Sequence, residues 1–137
     1  MILDAFLKMS DALTVGSSTA SVVSTSYIDT LAKGDDYAGC FLLSHAVTAV
    51  LSGTASATVE FRLAHSDSTA ATSFVTLISS GLVDDALVIA NYQSKLRIPP
   101  GTLRYLRGEV RTSQVTTSGT VTQYIVKDVD VNAQMLA

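Results

Sequence analysis

Few side chains in this chain could carry chemistry: two histidines (His45 and His65), a single cysteine (Cys40), and twelve carboxylates. A nucleophilic triad requires a Ser or Cys, a His and a carboxylate held in one geometry. Ser44 directly precedes His45, but neighbours on a strand point to opposite faces, and the G-x-S-x-G elbow is missing. His45 is therefore expected in or beside the core, and His65, close to Asp67 in the polar stretch HSDSTAAT, in a solvated loop. Zinc sites need several His or Cys ligands at fixed spacing, which this chain does not supply. Asp35-Asp36, Asp84-Asp85 and Asp128/Asp130 could offer oxygens to calcium, but none follows the EF-hand spacing. Acidic pairs in turns ordinarily hydrogen-bond nearby backbone N–H groups. Glu60 and Glu109 could be a glycosidase pair, yet each alternates with arginine along a strand, so cross-strand ion pairing accounts for them. There is no phosphate-cradling glycine loop. The expectation is a non-enzymatic chain with no catalytic, cofactor-binding or metal residues and no cofactor, hence a structural or binding role.

Composition supports this direction. The chain has 137 residues, enough for one domain with its own core. Only 15% of residues are charged and Trp is absent, while Ser, Thr and Val abound. A surface poor in charge suits contact with other protein. A net charge of −3 argues against direct nucleic-acid binding, which needs clustered cations. Arg97, Arg104, Arg107 and Arg111 do concentrate in one segment, where they are expected to form a basic strand edge facing Glu60, Glu109 and aspartates. A lone cysteine excludes an intrachain disulfide. The N-terminal MILDAFLKMSDAL lacks the basic and unbroken apolar regions of a signal peptide, and no apolar run reaches the ~18–20 residues of a membrane helix. The chain is thus expected to be made in the cytosol as a soluble protein, without membrane contact.

The elements that must position these groups read as strands. LRIPPGTLRYLR, residues 96–107, is the clearest signal. Pro99 and Pro100 lack an N–H, so the ladder must end near Ile98, and Gly101 supplies the corner. Thr58 to Ala64 alternates cleanly, with Val59, Phe61 and Leu63 on one face and Thr58, Glu60 and Arg62 on the other. Phe41–Leu51, Phe74–Ser79, Ala86–Tyr92, Leu103–Arg111 and Thr120–Val129 read as further strands, with one or two more in Ala12–Thr25. In Leu103–Arg111, Arg104, Leu106, Gly108 and Val110 share one face; Leu103, Tyr105, Arg107, Glu109 and Arg111 share the other. Ser113–Gly119 reads as a hairpin loop that makes the last strand antiparallel to the one before it. Eight or nine strands predict an all-β, two-sheet antiparallel sandwich of jelly-roll type. Its expected parts are an N-terminal arm (1–11), the sandwich (12–129) and a C-terminal tail (130–137). Ile2, Leu3, Phe6 and Leu7 share a helical face in the arm, which could equally be extended.

Four segments in order, MILDAFLKMSDA, Tyr27-Ile28-Asp29, IPPGTLRYLR and SGTVTQYIVKDV, carry a family resemblance. The chain resembles the small capsid cement, or decoration, proteins of tailed bacteriophages, of the kind first described in a short-tailed phage infecting Bordetella. The most specific parts are Arg104-Tyr105-Leu106-Arg107 after the Pro-Gly corner, and Gly119-Thr120-Val121-Thr122 with Asp128 beyond it. Residues 65–85 match only in pattern. The resemblance implies a jelly-roll virion protein, made in the host bacterial cytoplasm, that binds the outer surface of an expanded head. There it would clamp neighbouring copies of the major capsid protein, self-associating as a homodimer or alternatively a trimer. It implies no catalysis. Under this reading Ile2, Leu3, Phe6, Leu7, Tyr105, Arg107 and Arg111 face a protein partner. A carbohydrate- or receptor-binding jelly-roll module and another head or tail subunit are the alternatives.

Overall fold

β-branched and aromatic residues at every second position bury one face of a strand and leave the other outward, and that period organises the whole molecule. The computed structural model describes residues 8–15, 21–30, 41–49, 57–114 and 119–127. The strands are β1 (Lys8–Val15), β2 (Val22–Val23), β3 (Ile28–Asp29), β4 (Phe41–Ala49), β5 (Thr58–Ser66), β6 (Val75–Ser79), β7 (Val83–Asp84), β8 (Gln93–Arg97), β9 (Tyr105–Thr112) and β10 (Gly119–Lys127). They form two antiparallel sheets. One has the order β1-β10-β4-β8; the other runs β2-β9-β5-β6, with β3 continuing β2 along β9 and β7 continuing β6 along β5. Counting β2/β3 and β6/β7 as one position each gives the interleaved strand order of a jelly roll.

Several sequence expectations are corrected. Ala86–Tyr92 is not a strand. The Asp84 carboxylate accepts the Ala86 N–H at 3.0 Å, residues Asp85–Leu87 form a 3-10 turn, and Asn91 turns the chain again at φ 71°. Asn91 and Tyr92 exchange backbone hydrogen bonds with Val47, and the regular strand begins at Gln93. The last strand does not form a hairpin with β9. Both flanks of β9 are already occupied, by β2/β3 and by β5, so β10 crosses to the other sheet and inserts between β1 and β4. His65 lies within β5 rather than in a loop. The first strand starts at Lys8, inside the expected arm, and Ile2, Leu3, Phe6 and Leu7 fall outside the described residues, as do Cys40, Asp35, Asp36, Asp128, Asp130 and the expected tail.

The corner behaves as its prolines require. β8 ends at Arg97, buried Ile98 donates its N–H to the Phe41 carbonyl at 3.1 Å, and Gly101 takes φ 81°, where a side chain would be strained. His65 Nδ1 then accepts the Leu103 N–H at 3.2 Å and fixes the chain as it enters β9.

Between the sheets the core falls into two apolar halves. Met9, Ile28, Leu43, Leu63, Leu96, Ile98, Leu106 and Ile125 form one; Val15, Val47, Val59, Phe61, Val88, Val110 and Val121 form the other. A polar row separates them. Ser10 pairs with Gln123, Gln123 with His45 and His45 with Ser94, so four buried polar residues cross all four strands of one sheet. Gly108 of the facing sheet leaves room for the Gln123 amide, since a Cβ there would stand 2.8 Å from Gln123 Nε2. Among the described residues neither His45 nitrogen has a hydrogen-bond partner, and the Gln123 amide has none either. Burial pulls the His45 pKa down from 6.5 to about 3, against a smaller opposing effect of the Glu109 backbone. His45 is therefore a neutral core residue, packed against Phe61 at 5.1 Å between ring centroids.

Candidate interaction surface

The outward face of the β2-β9-β5-β6 sheet gathers the residues of interest. Antiparallel register sets Glu60 opposite Arg111, Arg62 opposite Glu109, Ala64 opposite Arg107 and Ser66 opposite Tyr105. Alternation then brings Tyr105, Arg107, Glu109 and Arg111 to the same side as Glu60 and Arg62. Acid and base alternate both along and across the strands. Arg62 pairs with Glu60 and Arg107 with Glu109, each two residues away on its own strand. The Arg62 hydrogen bond holds the Glu60 carboxyl below the usual carboxylate range; burial opposes it and the Ser79 hydroxyl adds to it.

The sequence-predicted residues play different parts on this face. Arg107 is engaged within the domain. Its side chain is 14% exposed, its guanidinium bonds Glu109 and the Ala71 carbonyl, and it lies 4.2 Å from the centroid of the Phe74 ring. This anchors the loop between β5 and β6, where Ser66, Ser68 and Ser73 hydrogen-bond one another and the backbone. Tyr105 stands at one end of the face. Half-exposed Tyr27 meets it edge-on at 5.3 Å, and Arg104 lies 5.0 Å from its ring centroid. Arg104 also makes a two-pronged contact with Asp29, at 2.8 and 2.9 Å. Arg104 was expected on the face of Leu106 and Val110, but it precedes β9, and its side chain swings outward to the carboxylate that β3 presents beside Tyr105. Arg111 is exposed at the other end, where it borders an open notch of about 280 Å³ with Thr58, Glu60, Leu82 and Ser113.

Two outward-reaching clusters therefore flank a centre of internally paired charge. Four arginines (62, 104, 107 and 111) face four carboxylates (29, 60, 84 and 109), Asp84 of β7 standing opposite Thr58 on the side of Glu60, so the described part of this surface is balanced in charge. Tyrosine and arginine at the ends are the side chains that most often dominate protein contacts, because each offers apolar area and hydrogen bonds at low entropic cost. Sequence reasoning missed Tyr27, Asp29 and Leu82 as members of this face. Their positions depend on pairing between segments that are far apart in the chain. Among the described residues no three His, Cys, Asp or Glu side chains gather where they could hold a metal ion. Asp84, once a calcium candidate, caps its turn. No protein-family model matches the chain, and the search of curated proteins returns no match.

Proposed function

We propose that this protein is a structural virion component that binds the outside of an expanded bacteriophage capsid and clamps neighbouring major capsid subunits. The observation that carries the reading is the sheet face ending in Tyr27–Tyr105–Arg104 on one side and Arg111–Leu82 on the other. Arg62 and Arg107 already hold Glu60 and Glu109 along their own strands, so the centre of the face needs little rearrangement to meet a partner. The resemblance of IPPGTLRYLR and SGTVTQYIVKDV to capsid cement proteins supports the same reading, and residues 1–7 supply a second contact in it. Physically, packaged DNA pushes shell subunits apart. A protein that touches two of them and prefers their assembled spacing stabilises that state by its differential affinity. Repetition over the shell multiplies weak contacts.

The test is co-sedimentation of the purified protein with expanded capsids that lack it, and with unexpanded shells. Selective retention on expanded shells is the expected result, weakened by Tyr27→Ala with Tyr105→Ala and by removal of residues 1–7. That deletion spares Met9, which belongs to the core. Equal recovery on both shells, or none on either, would overturn the proposal.

A further inference from the structure

A buried polar side chain that makes no hydrogen bond bears the full cost of leaving water, so native cores rarely leave one unpartnered, and more rarely two side by side. His45 and Gln123 are both fully buried and stand opposite each other on β4 and β10. The neutral imidazole brings one N–H and one acceptor nitrogen; the amide brings two N–H bonds and a carbonyl. Among the described residues none of these four polar atoms has a partner.

Two contacts define what a partner would have to reach. The Glu109 backbone, on the facing sheet, acts on the His45 ring as a hydrogen-bond acceptor does, yet no direct bond closes between them. Such a separation is that of a bridged contact. The Gln123 amide lies over Gly108, the preceding residue of the same strand, where the backbone carries no side chain. Both groups therefore point at one short stretch of β9. Their neighbours in the row are only Ser10 and Ser94, whereas the apolar halves on either side are filled by Met, Leu, Ile, Val and Phe. Small neighbours and several converging polar groups are what a buried water requires.

We infer that the core holds a resident water molecule between the two sheets, bonded to the His45 ring, the Gln123 amide and the Glu109 carbonyl. Water has two donors and two acceptors, so one molecule can donate to the carbonyl of β9 and still serve both side chains. An ion would not suit the place. Every group that faces it is neutral, and the Glu109 carboxylate turns to Arg107 on the outer face. The water would tie β4 and β10 to β9 across the middle of the sandwich, where these side chains make no direct bond. It does not depend on capsid binding.

NMR of the whole isotope-labelled chain tests it. Magnetisation transfer from water should reach the carbon-bound protons of the His45 ring and the Gln123 side-chain amide. Its laboratory-frame and rotating-frame cross peaks should have opposite signs, the mark of a water that tumbles with the protein. Oxygen-17 relaxation dispersion should count one fewer long-lived water in His45→Leu with Gln123→Met, which removes the polar atoms and keeps the side chains apolar and of similar length. No transfer from water to either side chain in the wild-type chain overturns the inference, and that measurement decides even where the paired variant does not fold. A scalar coupling across a direct hydrogen bond between the His45 and Gln123 side chains also overturns it, as does an unchanged water count in a folded paired variant.

Discussion

Acid should weaken this protein through His45, and the size of the effect follows from where the ring sits. In the folded chain burial holds its pKa at about 3, while in the unfolded chain it titrates near 6.5. A depressed folded pKa means that the unfolded state takes the proton first. Full stability is therefore present above pH 6.5, falls as the pH drops through the window from 6.5 to 3, and levels off below it. One proton costs about 1.4 kcal/mol per pH unit, so acidification from pH 7 to pH 5 should remove about 2 kcal/mol. That is a large part of the ~5–15 kcal/mol by which domains of this kind are stable. The window is chosen deliberately. Glu60, held below its usual value, withdraws its contribution only as pH falls below about 4.5, so carboxylates add little above pH 5. His65 is also depressed by burial and contributes in the same direction, but more weakly since its ring is only partly buried. Urea unfolding at pH 7, 6 and 5, compared between the wild-type chain and His45→Leu, isolates the term. The variant should keep only the shallow slope that belongs to His65. Equal losses in the two proteins would refute the reasoning, as would an NMR titration placing the folded His45 ring near 6.5.

Three further outcomes are expected. Gly108→Ala should cost about 1–3 kcal/mol, because its Cβ meets the buried Gln123 amide at 2.8–2.9 Å; a double-mutant cycle with Gln123→Ala should recover part of the loss, and strict additivity would show the two sites uncoupled. His65→Ala strips the Leu103 N–H of its acceptor and should cost about 1–2 kcal/mol with faster exchange of that amide; unchanged exchange would mean the bond is not made in solution. Arg107→Ala leaves the 9%-exposed Glu109 side chain without its cation and frees Phe74, for a loss of about 2–3 kcal/mol. Arg107→Lys should restore less than half of it, since lysine cannot reproduce the fork or the ring stacking; complete rescue would reduce the residue's role to charge.

The local periods of this fold are legible in the sequence, and its long-range pairings are not. Thr58–Ala64 declares β5 because each inward residue is apolar and each outward one polar, and the paired prolines place the end of β8 within a residue. The fate of β10 could not be read the same way. A short polar loop serves equally as a hairpin and as a passage between sheets, and the occupancy of both flanks of β9 depends on segments more than forty residues away. Ala86–Tyr92 misleads for a different reason. Its apolar run is real, but only Val88 is buried while Leu87 and Ile89 remain exposed, so hydrophobicity there marks surface rather than core. The arginine-rich segment announces a charged face only in part: Arg107 and Arg111 lie on β9 opposite β5 and Arg104 beside them, but Arg97 ends β8 in the other sheet, paired with Leu42. Which arginine reaches outward and which is locked down depends on Phe74 of the β5–β6 loop and Asp29 of β3, both far from β9 in sequence.

The polar row through the core has a consequence for how the chain finds its native pairing. Slipping a strand by two residues preserves the inward and outward faces, so in a sandwich filled with Val, Leu and Ile such slips are close competitors of the native alignment. Here a two-residue slip of β10 against β4 would carry the Gln123 amide away from His45 and the space over Gly108, and push it among Val or Leu side chains. The row thus acts as an alignment mark. It gives up some stability to hold polar atoms in the interior, and in exchange it makes one stagger of the strands distinguishable from its neighbours.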